Sequence, residues 1–125
     1  MSRTTTLWRP VGPQELALIA ASAFRRFPPR LPEQPILYPV CNEQYAVEIA
    51  ERWNAASDGG GYVTRFDVWT EYLSRYETHV VGARHHEEYW IPAEELEGFN
   101  DAIVGAIEVV REFPPTSAEG EPEKR

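Results

Sequence analysis

Tyr62-Val63-Thr64-Arg65-Phe66-Asp67-Val68-Trp69 carries the cleanest two-residue alternation in the chain. Tyr62, Thr64, Phe66 and Val68 fall on one side and Val63, Arg65, Asp67 and Trp69 on the other, because successive side chains leave a pleated backbone in opposite directions. The stretch predicts a central strand rich in β-branched and aromatic residues. Asn54 to Gly61 ahead of it, with three consecutive glycines, reads as a flexible loop. A phosphate-binding loop follows a strand and opens a helix, so glycines that precede a strand are in the wrong context for one.

Toward the N-terminus, Asn42 is placed to cap a helix whose Tyr45, Ala46, Ile49, Ala50 and Trp53 form one apolar stripe. Ile36 to Val40 reads as a strand interrupted by Pro39. Prolines at 28, 29, 32 and 35 forbid helix over Phe27 to Pro35 and favour an extended connector. Leu7 to Val11 predicts a first short strand with Leu7, Arg9 and Val11 on one face. Pro13 opens a helix that runs to about Phe24 and buries Leu16, Ile19, Ala20, Ala23 and Phe27. Toward the C-terminus, Thr70 caps a short helix to Tyr76, and Glu77 to Val81 is a strand. After Pro92 comes a short acidic helix from Ala93 to Phe99. Ile103 to Phe113 is a last long strand with Ile103, Gly105, Ile107 and Val109 on one side.

With 125 residues the chain suits one domain, placed at 7–113, with 1–6 and 114–125 as disordered tails. A net charge of −8, from 20 acidic and 12 basic residues, excludes a general nucleic-acid or anionic-membrane binder, since both partners are polyanions. Eleven of the basic residues are arginine, whose planar fork suits bidentate phosphate or carboxylate binding in a local pocket. The single Cys41 excludes an intrachain disulfide. No apolar run approaches the ~20 residues of a membrane span, and the start lacks a signal-peptide pattern. A cytoplasmic location is the expectation.

His86-Glu87-Glu88-Tyr89-Trp90-Ile91-Pro92 places charge inside an apolar, aromatic strand. His86, Glu88 and Trp90 would share one face and Glu87, Tyr89 and Ile91 the other. Such a strand either guards an exposed sheet edge or offers a carboxylate to a polar ligand in a ring-lined cleft. His79, His85 and His86 with the neighbouring glutamates raise the question of a metal. In a strand, however, His85 and His86 point apart, so no metal is expected.

The step from His86 to Glu88, followed by apolar residues and Pro92, resembles the catalytic strand of mono-ADP-ribosyltransferases. Leu7-Trp8-Arg9 is similar to that family's first strand. Ile36 to Val40 with the Ala46 and Ala50 helix is similar to its Ser-Thr-Ser segment, with Tyr38-Pro39-Val40 standing in for the serines. More widely, Leu7 to Phe113 resembles short bacterial proteins carrying an ADP-ribosylation/crystallin J1 name, through Leu7-Trp8-Arg9-Pro10-Val11-Gly12, Phe27-Pro28-Pro29-Arg30-Leu31-Pro32 and Tyr89-Trp90-Ile91-Pro92-Ala93-Glu94-Glu95-Leu96.

The resemblance implies an α+β domain with a small, mostly antiparallel split β-sheet and packed helices, ADP-ribosyltransferase-like in type. It implies NAD as substrate, Glu88 as the catalytic carboxylate, and Arg9, Tyr38, His86, Tyr62 and Trp90 as the residues that hold NAD in a cleft between the sheet halves. A protein or small molecule would accept the ADP-ribose, or water in a glycohydrolase. The alternative is a catalytically inactive domain of the same fold that serves as a protein-interaction module. Convergence of Arg9 and Glu88 on one pocket favours the first; a Glu88 turned away from Arg9 favours the second.

Overall fold

Both edges of the alternating stretch are occupied in a computed structural model that describes residues 3–115. The stretch is β3 (Gly61–Trp69), flanked antiparallel by β1 (Thr4–Val11) on one side and β7 (Ile103–Phe113) on the other. Leu7 lies opposite Phe66 and Arg9 opposite Thr64, whose hydroxyl donates back to the Arg9 carbonyl at 2.8 Å. Strand β1 begins at Thr4, so the expected disordered start is corrected over Thr4 to Thr6. There the Thr6 hydroxyl donates to Asp67 and Thr5 pairs with Thr70. Of the expected C-terminal tail, 116–125 lie outside the described residues.

Two smaller antiparallel pairs complete the strands. They are β2 (Ile36–Leu37) with β6 (Ile91–Pro92), and β4 (Thr78–Val80) with β5 (Glu87–Tyr89). Val40 splices the second pair to β1: it exchanges two backbone hydrogen bonds with Trp8 and bridges Glu88 on its other side. The architecture is mixed α+β, with small antiparallel sheets and short helices. The continuous strand expected over 86–92 is broken at Trp90, where the partner changes from β4 to β2.

Strand parity sorts the side chains into two apolar layers. Leu7 and Val11 of β1, Phe66 and Val68 of β3, Ile107 of β7, Leu37 and Ile91 enter the main core. Phe66 meets Phe27 edge-on at 4.9 Å between ring centroids. Trp8, Val40 and Val63 lie on the opposite face, under Tyr45 and Ala46 of helix α2 (Glu43–Ile49) and Ala50 just after it. In β7, Gly105 at φ 81° marks a bulge between the partners of Asp67 and Arg65; beyond it Glu108 and Val109 pair regularly with Arg65 and Thr64, and Ile107 is buried while Val109 is 42% exposed.

Helix α1 (Pro13–Ala21) starts at Pro13 as expected but stops short of Phe24. Ala23 and Phe24 take left-handed φ values of 61° and 59° and close the helix through bonds to the Ala20 and Ile19 carbonyls. Ala20 and Ala23 are therefore exposed and Ile19 alone of the helix is buried. In α2, Asn42 caps as expected, its Oδ1 accepting from Tyr45 N–H at 2.8 Å. A π turn at Ala50–Asn54 then inserts an extra residue before α3 (Ala55–Ser57) and carries Trp53 out of the expected stripe to 66% exposure. The remaining helices are α4 (Thr70–Leu73), which starts from Trp69 and so one residue earlier than expected, and α5 (Leu96–Asp101), entered by a 3₁₀ turn at Ala93–Glu95.

Candidate functional site

Arg9 and Glu88 do not converge. Trp8, Val40 and Glu88 are successive cross-strand partners and so lie on one face; Arg9, next to Trp8, projects from the other. The expected cleft shared by Arg9, Tyr38 and Glu88 is corrected on this ground: the alternation that makes β1 a strand turns Arg9 toward α1 and leaves Glu88 under α2.

On the α1 side, Arg9 makes a bidentate pair with Glu15, Nε to Oε2 at 2.8 Å and Nη2 to Oε1 at 2.9 Å. Helix α1 supplies Glu15 from its first turn, where the dipole favours a carboxylate. Arg30, delivered by the proline-rich connector, reaches the same carboxylate only at 3.9 Å, with its Nε donating to the Gln34 carbonyl at 3.2 Å. Burial, then the neighbouring Arg9 charge, lowers the Arg30 pKa from its ordinary value. Both arginine side chains are only 11% exposed. They line a cleft of about 650 Å³ together with Gln14, Leu18, Pro29 and Gln34. Asp58, at an exposed end of this cleft, accepts from the Asn54 amide.

On the α2 side, Glu88 is 7% exposed and accepts two hydrogen bonds, from Tyr45 Oη at 2.8 Å and Trp90 Nε1 at 2.7 Å. Burial and the hydrogen bond to Glu88 push the Tyr45 phenol well above its usual pKa, which keeps it a donor. The reading of this stretch as an edge strand with its charges in water is corrected at Glu88 by that burial. Trp90 stacks on His79 at 3.7 Å, and Tyr38, 40% exposed, meets Trp90 edge-on at 6.3 Å. Tyr62 packs against the main core and takes no part in either arrangement. Cys41, half-buried beside Glu87 and Glu88, has its thiol pushed up to about 12, first by burial, so it is not a thiolate nucleophile.

His86 is drawn to neither Glu88 nor Arg9. The expectation that His85 and His86 diverge is corrected, because both sit in the turn before β5 and bend toward one carboxylate of α2. His85 Nε2 lies 2.8 Å from Glu48 Oε2, and His86 Nε2 lies 2.8 Å from Glu48 Oε1. His86 also stacks on Tyr45 at 4.5 Å. Hydrogen bonding from His86, then from His85, lowers the Glu48 pKa.

Glu15, Arg30, Tyr45 and Glu48 were absent from the sequence-based candidates. Asn42, Tyr45 and Glu48 recur every third residue, which puts three polar tips on one face of α2, and each tip binds the segment from His85 to Glu88. That spacing was the available signal, hidden because Tyr45 also fits an apolar stripe. No family model matches this chain, and neither any curated protein nor any solved structure matches it.

Proposed function

We propose that this domain binds a small anionic ligand, of phosphate or carboxylate type, in the cleft lined by Arg9 and Arg30. The observation that carries the reading is that two nearly buried guanidinium groups share the single carboxylate of Glu15, only one of them within hydrogen-bonding distance. Charge buried without a full partner is costly, and a bidentate anion would complete it. NAD is the candidate ligand that the sequence resemblance supplies, and Arg9 would meet its pyrophosphate as that resemblance expects. An ADP-ribosyltransferase-like fold cleaving NAD through Glu88 is the finer reading. It draws no support from a carboxylate on the opposite face whose oxygens are engaged by Tyr45 and Trp90.

Calorimetry with NAD, ADP-ribose and pyrophosphate tests the proposal. Saturable binding that is lost in Arg9→Ala and Arg30→Met but kept in Glu88→Gln is the expected result. Absence of heat with all three probes sinks it, and nicotinamide release that depends on Glu88 would restore the transferase reading.

A second reading, a protein-interaction module, is favoured by the exposed Val80, Val81, Trp90 and Tyr38 around β4. The outer edge of that strand has no partner among the described residues. An added strand from another chain would find both backbone donors and apolar side chains there. Peptides selected from a display library should bind the wild type and not Val80→Pro; equal binding to both would count against this reading.

A further inference from the structure

We propose that Glu48, His85 and His86 form a binding site for a divalent transition metal, with zinc the best-fitting ion. The inference is independent of the anion cleft, which lies on the other side of the sheet.

Each of the three residues offers one ligand atom, and these atoms all lie within 4.8 Å of one another. In a tetrahedral zinc site, with metal–ligand distances of about 2.0–2.2 Å, ligand atoms stand roughly 3.3 Å apart. Each nitrogen lies 2.8 Å from its own carboxylate oxygen, about half an ångström short of that spacing. Two imidazoles and one carboxylate suit zinc, whereas magnesium and calcium demand shells of oxygen. All three side chains are between 23% and 32% exposed, so an ion can enter and a water can occupy the fourth position.

The supporting shell is also in place. Asn42 Nδ2 donates to the His85 carbonyl at 2.6 Å, which fixes the turn against the N-terminus of α2. Tyr45 stacks on the His86 ring and sets its plane. Gly82 leaves room for that ring: a Cβ there would sit 2.6 Å from His86 Nδ1.

One hydrogen bond must change on loading. Ala83 N–H donates to His86 Nδ1 at 3.1 Å, so the ring proton resides on Nε2, facing Glu48. Zinc takes the Nε2 lone pair, the proton passes to Nδ1, and Ala83 N–H turns to another acceptor. The metal thus reshapes the turn from Gly82 to His86.

The test is titration of the tag-free full chain with zinc chloride by calorimetry, with magnesium chloride as control, followed by amide NMR. One equivalent of zinc is expected to bind saturably, to displace the Ala83 amide resonance, and to leave magnesium without effect. Saturable binding should vanish in Glu48→Gln and in His85→Ala. Asn42→Ala should weaken it on the order of 10–100-fold by freeing the turn. Circular dichroism of the metal-free variants shows whether they fold. Should Glu48→Gln unfold, a metal-dependent rise in thermal midpoint that is present in wild type and absent in a folded His85→Ala decides the matter. No saturable heat in wild type, or zinc binding unchanged in folded His85→Ala and Glu48→Gln, overturns the proposal.

Discussion

Arg9 and Glu88 project from opposite faces of one antiparallel array, separated by the single spliced residue Val40. A ligand that grips the guanidinium in the α1 cleft cannot touch a carboxylate held beneath α2. The two halves of the molecule therefore offer separate chemistries: a cationic recess shaped by Arg9, Glu15 and Arg30, and a histidine-rich seam where α2 meets the β4–β5 turn.

Glu88 depends on its two donors. Tyr45→Phe leaves a buried carboxylate oxygen without the phenol and is expected to cost about 1.5–3 kcal/mol, as for hydrogen bonds to charged groups. Trp90 is 39% exposed, so Trp90→Phe should cost less. Urea denaturation of the two variants at neutral pH checks the order; equal small losses would mean that Glu88 is well solvated.

Glu48 makes stability depend on pH in a defined direction. Its pKa is lower folded than unfolded, so its contribution is present above the ordinary value of 4.5 and is lost as pH falls through the folded value. The stability gap between wild type and Glu48→Gln, measured without metal, should be constant just above that value and shrink below it. A gap that widens on acidification would contradict the hydrogen bonding assigned to His85 and His86.

Ala23 holds a left-handed backbone that glycine adopts freely. Ala23→Gly should raise stability by up to about 1 kcal/mol, the relief of strain exceeding the added freedom of the unfolded chain. A clear loss in thermal midpoint would show that the Ala23 methyl makes a contact of its own.

Gly61 is constrained by space alone. A Cβ there would lie 2.3 Å from the Ala50 carbonyl oxygen, a backbone atom that cannot swing aside. Gly61→Ala is expected to destabilise by roughly 3 kcal/mol, the upper part of the range for overpacking. An unchanged denaturation midpoint would refute the close approach of β3 to the π turn.

Much of the fold was legible because alternation and capping are local. The pattern from Tyr62 to Trp69 marked the central strand, Pro13 and Asn42 marked two helix starts, and Ile103 to Phe113 marked the last strand. What escaped was parity after an insertion. The π turn released Trp53, and the paired left-handed residues Ala23 and Phe24 ended α1 early, neither of which periodicity can anticipate. The candidate site was misread for a related reason. The turn before β5 runs on through His85 and His86, which had been placed in a strand, so they meet at Glu48 instead of separating. Arg9 was identified, but its neighbours Glu15 and Arg30 come together only through tertiary contact.

The one-residue splice at Val40 has a mechanical meaning. The β4–β5 hairpin is joined to β1 through the backbone around one position, and is held besides by the polar tips of Asn42, Tyr45 and Glu48 and by Tyr89 against the main core. Such a flap can lift as a unit while the β1–β3–β7 sheet stays closed, so its amides should exchange with solvent together and well before those of β3. Whatever clamps its turn onto α2 would set how often the flap opens.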